Sequence, residues 1–224
     1  MANRSRTQPT QSVGSEPRAS GDSGSTGPII ELLVVFAVVF ALQSITAVVG
    51  VMTGLFVLSP PLSDSPWTIV TSVYAHGSLW HLLSNSLALV VFGWPVARAT
   101  TRLRFHTFFL MTGALAGVAQ VGLTGFAATL SLVPATPTAG VLGASGAVFA
   151  LLGYLVASNR LSDGLASFVD IPRWLTILVF AVLAGILTLA TAAPGVALIA
   201  HFTGFLVGAV AGRARVLHVR SPAR

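Results

Sequence analysis

The chain has 224 residues, 54% hydrophobic and only 8% charged. A soluble domain carries about 25% charged residues, so this composition excludes an ordinary soluble globule and leaves room for several membrane helices of about 20 residues each. There is no cysteine, which excludes disulfides, thiolate metal sites and a cysteine nucleophile. The 12 basic residues are all arginine and give a formal charge of +6; their placement bears on topology, and nucleic acid is not an expected partner.

Residues 1–27, "MANRSRTQPTQSVGSEPRASGDSGSTG", are rich in Ser, Gly, Thr and Pro and have no apolar periodicity. They read as a disordered cytosolic tail. The apolar run after them is too long for the h-region of a signal peptide. Six apolar spans follow, at Ile29–Leu58, His81–Val96, Phe105–Gly125, Ala144–Ser158, Trp174–Ala192 and Gly195–Gly212. They define a membrane domain over 28–212, with a basic cytosolic tail at 213–224. The first span is overlong for one crossing, which predicts tilt or extension past the lipid. The second, fourth and sixth are short and carry polar residues, the pattern of helices inside a bundle.

The arginines fall before the first span (Arg4, Arg6, Arg18), between the second and third (Arg98, Arg102, Arg104), between the fourth and fifth (Arg160, Arg173) and after the sixth (Arg213, Arg215, Arg220, Arg224). With six crossings all 12 lie on one side, and the positive-inside rule puts both termini in the cytosol. The connection "SPPLSDSPWTIVTSVYAHGSLW" holds Trp67, Tyr74 and Trp80, residues that suit the outer membrane interface. The connection "FAATLSLVPATPTAG" is neutral and turn-rich. No internal repeat of the kind that builds inverted-repeat transporters is evident, which weighs against a transporter or channel.

Polar groups inside a membrane are costly and mark function. Four stand out: His81, Asn85, Ser145 and His201. Each lies early in a span that runs from outside to inside, so they share a depth on the outer side. His81 and Asn85 are four apart and share a helix face. Ser145 alone reads equally as a helix cap or a packing residue. "GASGA" is not the G-x-S-x-G elbow of α/β-hydrolases, since residue 147 is alanine and no strand precedes it. His201 is spaced i, i+3, i+7 with Gly204 and Gly208, so it points the same way as the G-x-x-x-G-x-x-x-G ridge ending at Gly212. Such a ridge admits close approach of another backbone. The small residues Gly146, Ala150 and Gly153 of the fourth span are the expected partner, which would bring Ser145 to His201. A serine nucleophile needs a base, most often histidine. Among the six acids only Asp64 lies on the outer side, so a Ser–His dyad is expected rather than a triad. His81, Asn85 and the Ser145 N–H at a helix N-terminus could stabilise an oxyanion. For His81 and Asn85, interhelical hydrogen bonding is the equal alternative. A metal site of His76, His81 and His201 would lack a carboxylate or fourth ligand and is not expected.

Three stretches, "HGSLWHLLSN" (His76 to Asn85), "GASGAVFALLG" (from Gly143) and "AHFTGFLVG" (Ala200 to Gly208), in this order on alternate spans, resemble the rhomboid family of intramembrane serine proteases over roughly residues 29–212. The resemblance implies an all-α integral membrane fold, a six-transmembrane-helix rhomboid-like bundle, N-in and C-in. It implies Ser145 as nucleophile, His201 as base, and His81, Asn85 and the Ser145 backbone as the oxyanion hole, with Gly143 shaping the loop and His76 supporting the site. It implies transmembrane protein substrates in a lipid bilayer, cut near helix-breaking sequences, no cofactor, and a multi-pass location in a prokaryotic plasma membrane. The sequence specifies no oligomeric state. A non-catalytic rhomboid-like membrane-protein binder is the alternative, although such proteins usually lose the serine or histidine. Two departures stand out. Phe149 replaces the family's tyrosine, keeping the ring and losing a hydroxyl, and Trp67-Thr68 replaces its Trp-Arg pair, which puts the anchoring of the first outer connection in question.

Overall fold

A computed structural model describes residues 26–130, 136–158, 173–192 and 195–218. Among these, six main helices run in chain order: α1 (Gly27–Val48), α2 (Leu79–Arg98), α3 (Arg102–Ala128), α4 (Ser145–Ser158), α5 (Arg173–Ala190) and α6 (Leu198–Arg213). Helices α1, α2 and α3 are long and apolar enough to cross a membrane, whereas α4, α5 and α6 are shorter apolar helices. The exposed faces are apolar: Val34, Val38, Leu42 and Ile45 on α1, and Leu178, Val182, Ile186 and Leu189 on α5. In water these stripes would be a liability; against lipid they are the expected surface.

The overlong first span is not one helix. Gly50 at φ +76° turns the chain after Val48, with the Val51 N–H donating back to the Thr46 carbonyl at 3.1 Å. Glycine accepts this left-handed conformation without a Cβ penalty. A short helical piece, Met52–Phe56, then leads into the connection between α1 and α2. That connection is tied down by backbone acceptors rather than by an ion pair: Trp67 Nε1 donates to Gly54 O at 2.9 Å, Thr71 Oγ1 to Leu55 O at 2.5 Å, and the buried Thr68 hydroxyl to Ser65 O at 2.6 Å. This answers the question raised by Trp67-Thr68.

Helix α2 starts where Ser78 caps it, its hydroxyl accepting the His81 N–H at 3.1 Å. Over Leu89–Gly93 it widens into a π-helical turn. Pro95 lies just beyond; it has no N–H to donate and its ring crowds the carbonyl four residues back, which a widened turn relieves.

Helix α4 is the inner helix, with Gly146, Ala147, Val148, Ala150, Leu151, Gly153, Tyr154 and Ala157 all buried. Helix α6 packs on it with backbone against backbone. A Cβ on Gly204 would run into the Gly146 carbonyl, one on Gly208 into that of Ala150, and one on Gly153 into that of Phe205. The expected pairing of the α6 ridge with the small residues of α4 is therefore the arrangement found. After α6 the chain does not leave at once: Leu217 is buried, and the Tyr154 hydroxyl lies 3.0 Å from His218 Nδ1. The packed body thus reaches His218, further than the expected boundary at residue 212. Residues 1–25 and 219–224, most of the two expected tails, lie outside the described residues.

Candidate active site

Ser145 is the first residue of α4, and its position is set from the N-terminal side by main-chain bonds. Leu58 and Val141 pair in both directions at 2.9 Å, and the Gly143 N–H donates to Ser72 O at 2.8 Å. Gly143 itself has φ +135°, a conformation that L side chains rarely adopt. The loop before the serine is therefore stitched to the α1–α2 connection, and α4 starts against it with its leading N–H groups unpaired within the helix.

From the other side comes α6. The Gly146–Gly204 contact sits one residue from Ser145 and one helical turn from His201, and it brings His201 Nε2 to 2.9 Å from Ser145 Oγ. Phe149 stacks on the His201 ring with centroids 4.3 Å apart and planes 14° from parallel. The phenyl ring thus supplies the stacking without any hydroxyl. The buried Gln120 of α3 accepts the Ala200 N–H through Oε1 at 3.1 Å, fixing the start of α6 beside the histidine.

His81 lies against the other wall of the serine loop. A Cβ built on Gly143 would stand 2.7 Å from His81 Cε1 and 2.9 Å from Nε2. Its Nδ1 accepts the Gly77 N–H at 3.4 Å. Asn85 is buried one turn further along, and its Nδ2 donates to the His81 carbonyl at 3.0 Å. That bond engages one of its two N–H groups and leaves the other available. His76 is buried in the connection, edge-on to His81 at 5.2 Å and to Phe36 at 4.8 Å. Burial, with His81 adjacent, pushes the His76 imidazole down to about 4, so it is neutral at pH 7. Its N–H on the main chain donates to Oε1 of the buried Gln43 at 2.9 Å.

The seven residues singled out in the sequence thus fall into one region, in two groups. Ser145, His201 and Phe149 touch directly; Gly143, His81, Asn85 and His76 form a contiguous wall beside the serine loop. Sequence reasoning missed Gln43 and Gln120. Both are lone amides in apolar runs, the same signal that marked Asn85. It also missed Thr191, whose hydroxyl lies 3.1 Å from His201 Nδ1; a threonine in a turn carries no such signal.

A family model, the Rhomboid domain, matches residues 63–217. The chain belongs to the rhomboid family. Among curated proteins it is similar to RHOMBOID-like protein 4 of Arabidopsis thaliana, 29% identical over 161 residues, which cover 72% of this chain and 37% of that protein. The chain thus matches little more than a third of that relative's length. The rhomboid match includes α2 through α6 and the α1–α2 connection from Ser63, and so contains all seven residues singled out in the sequence; Gln43 lies before it.

Proposed function

We propose that this rhomboid is an intramembrane serine endopeptidase that cleaves transmembrane segments of other membrane proteins. The observation that carries the reading is the 2.9 Å contact between Ser145 Oγ and His201 Nε2 at the N-terminus of a buried helix. His201 accepts the serine proton as Oγ attacks the scissile carbonyl. The tetrahedral oxyanion is met by the Ser145 N–H, the His81 ring and the Asn85 amide. Collapse breaks the peptide bond, and His201 returns its proton to the leaving amine. Water then attacks the acyl-serine by the same route, with His201 again as base. Phe149 holds the imidazole plane throughout.

In this reading the six helices all cross the bilayer, residues 1–27 and 213–224 are cytosolic, and the site opens outward. The supporting observations are the arginine distribution and the position of Ser145, His81 and His201 near the N-terminal ends of α4, α2 and α6. Hydrolysis needs water, which the hydrocarbon core excludes, so the connection 49–78 above the site is the natural water route.

The test is labelling of the purified full chain in detergent with a fluorophosphonate probe, together with cleavage of a model transmembrane substrate. Wild type should take label and cleave; Ser145→Ala should do neither, and His201→Ala should lose cleavage while keeping its thermal unfolding midpoint. Cleavage by Ser145→Ala near the wild-type rate would sink the mechanism. A wild type that neither labels nor cleaves would leave the scaffold as a membrane-protein binder. Cysteines introduced near Ser145 should react with an impermeant thiol reagent added outside intact cells; labelling only from the cytosolic side would overturn the topology.

A further inference from the structure

Thr191 follows the last turn of α5, and its hydroxyl stands between two carbonyls of that turn and the imidazole of His201. Oγ1 lies 3.0 Å from the Thr188 carbonyl, 3.3 Å from the Leu187 carbonyl and 3.1 Å from His201 Nδ1. Carbonyl oxygens only accept. With its single hydrogen on the nearer carbonyl, that of Thr188, the hydroxyl oxygen faces Nδ1 with a lone pair. In that arrangement Nδ1 carries the ring proton and donates it to Thr191. A neutral imidazole with its proton on Nδ1 has its lone pair on Nε2, the nitrogen that stands 2.9 Å from Ser145 Oγ. The opposite tautomer would put an N–H on Nε2, aim it at the serine oxygen and remove the base.

We propose that Thr191 is a positioning residue that holds His201 in the Nδ1–H tautomer and in the in-plane orientation needed to accept the serine proton. The inference rests on the proposed protease mechanism and assigns the group that orients its base. Phe149 and Thr191 divide the task. Stacking fixes the plane of the ring but permits rotation within it, and the hydrogen bond at Nδ1 removes that rotation. A carboxylate in this place would also stabilise the imidazolium by charge; a hydroxyl offers only the dipole of one hydrogen bond. Its effect is accordingly smaller than that of a triad carboxylate. Because the hydroxyl belongs to the turn after α5, the setting of the base depends on where the end of α5 stands relative to α6.

The experiment compares full-length wild type, Thr191→Val, Thr191→Ser and Ser145→Ala in detergent. It measures kcat and KM on one transmembrane substrate and the rate of fluorophosphonate labelling, with thermal unfolding as a control. Valine keeps the shape and loses the hydroxyl; serine keeps the hydroxyl. One hydrogen bond that holds the base in its active tautomer should be worth about tenfold in kcat. Thr191→Val should thus lose about tenfold in kcat and in labelling rate, with KM unchanged within about twofold. Thr191→Ser should regain most of that loss. Thr191→Val at the wild-type rate, or Val and Ser equally slow, would overturn the positioning role while Ser145→Ala remains dead and the mechanism stands. Cleavage by Ser145→Ala would overturn the mechanism and this role with it.

Discussion

Gly143→Ala is the substitution whose effects on stability and on rate separate most cleanly. The backbone at φ +135° is one that a residue with a Cβ adopts only under strain, at about 1–3 kcal/mol. That is a measurable share of a typical stability of about 5–15 kcal/mol, yet leaves a folded protein. The new methyl carbon would also stand 2.7 Å from His81 Cε1, where ordinary contact begins at 3.4 Å. The imidazole must therefore retreat by several tenths of an ångström. If His81 is an oxyanion donor, losing it costs about 10²–10³ in kcat, and a displacement on the order of 1 Å can cost about 10². The decisive assay is a double-mutant cycle with His81→Ala, read in kcat and in the unfolding midpoint. Gly143→Ala should slow kcat by about 10². In the His81→Ala background it should add little further loss, because the ring it displaces is gone. Its cost to stability from backbone strain should persist in both backgrounds. Multiplicative losses in kcat would show that Gly143 acts on the serine directly and not through His81.

Asn85→Ala should slow kcat by up to about 10³, and less if the remaining donors compensate; a loss as complete as that of Ser145→Ala in a folded protein would give Asn85 more than a supporting place. Phe149→Tyr should leave kcat within about twofold, whereas Phe149→Ala should reduce it about tenfold, since stacking is worth about 0.5–1.5 kcal/mol; equal rates for both variants would remove the ring from the mechanism. Gly208→Ala should lower stability by about 3 kcal/mol or more, because the added carbon meets the Ala150 backbone and no side chain can yield. Gly122→Ala, with nothing within 4 Å, is the matched control and should be neutral or stabilising in thermal unfolding.

The features legible in the sequence were those written as repeated spacing or as a polar break in an apolar run. His201, Gly204, Gly208 and Gly212 recur at helical intervals, so their common face followed from periodicity alone. His81 and Asn85 were visible for a second reason, as polar groups that lipid would penalise. Gln43 and Gln120 obeyed that second rule too, but each serves one distant main-chain N–H, and its partner is fixed only by the fold. Thr191 was illegible because a threonine after a helix has an ordinary local use, bonding back to its own turn; its second contact depends on how α5 meets α6. The break at Gly50 was hidden because the apolar run continues through it, and hydropathy does not register a backbone angle. The return of Leu217 and His218 to the body was masked by the arginines around them, which read as a solvated tail.

The π-helical turn in α2 can be regarded as a phase shifter. Asn85, Leu89 and Gly93 are buried at successive steps of four. In an uninterrupted helix of 3.6 residues per turn, each step of four overshoots a full rotation by about 40°, so these three would spiral off the core. The widened turn absorbs that drift and keeps them in line, while Val96 and Ala97 beyond it still face inward. The halves of α2 before and after this turn therefore carry different angular offsets, matched only by the extra residue between them. Removing one residue from Leu89–Gly93 would leave the hydropathy of the segment almost unchanged. Three residues of ordinary helix cover about 300° in place of the full rotation from Leu89 to Gly93, so the half with His81 and Asn85 would turn by about 60° relative to the half beyond Gly93. A single winding defect, set beside a proline, thus decides which side of this helix looks at Ser145.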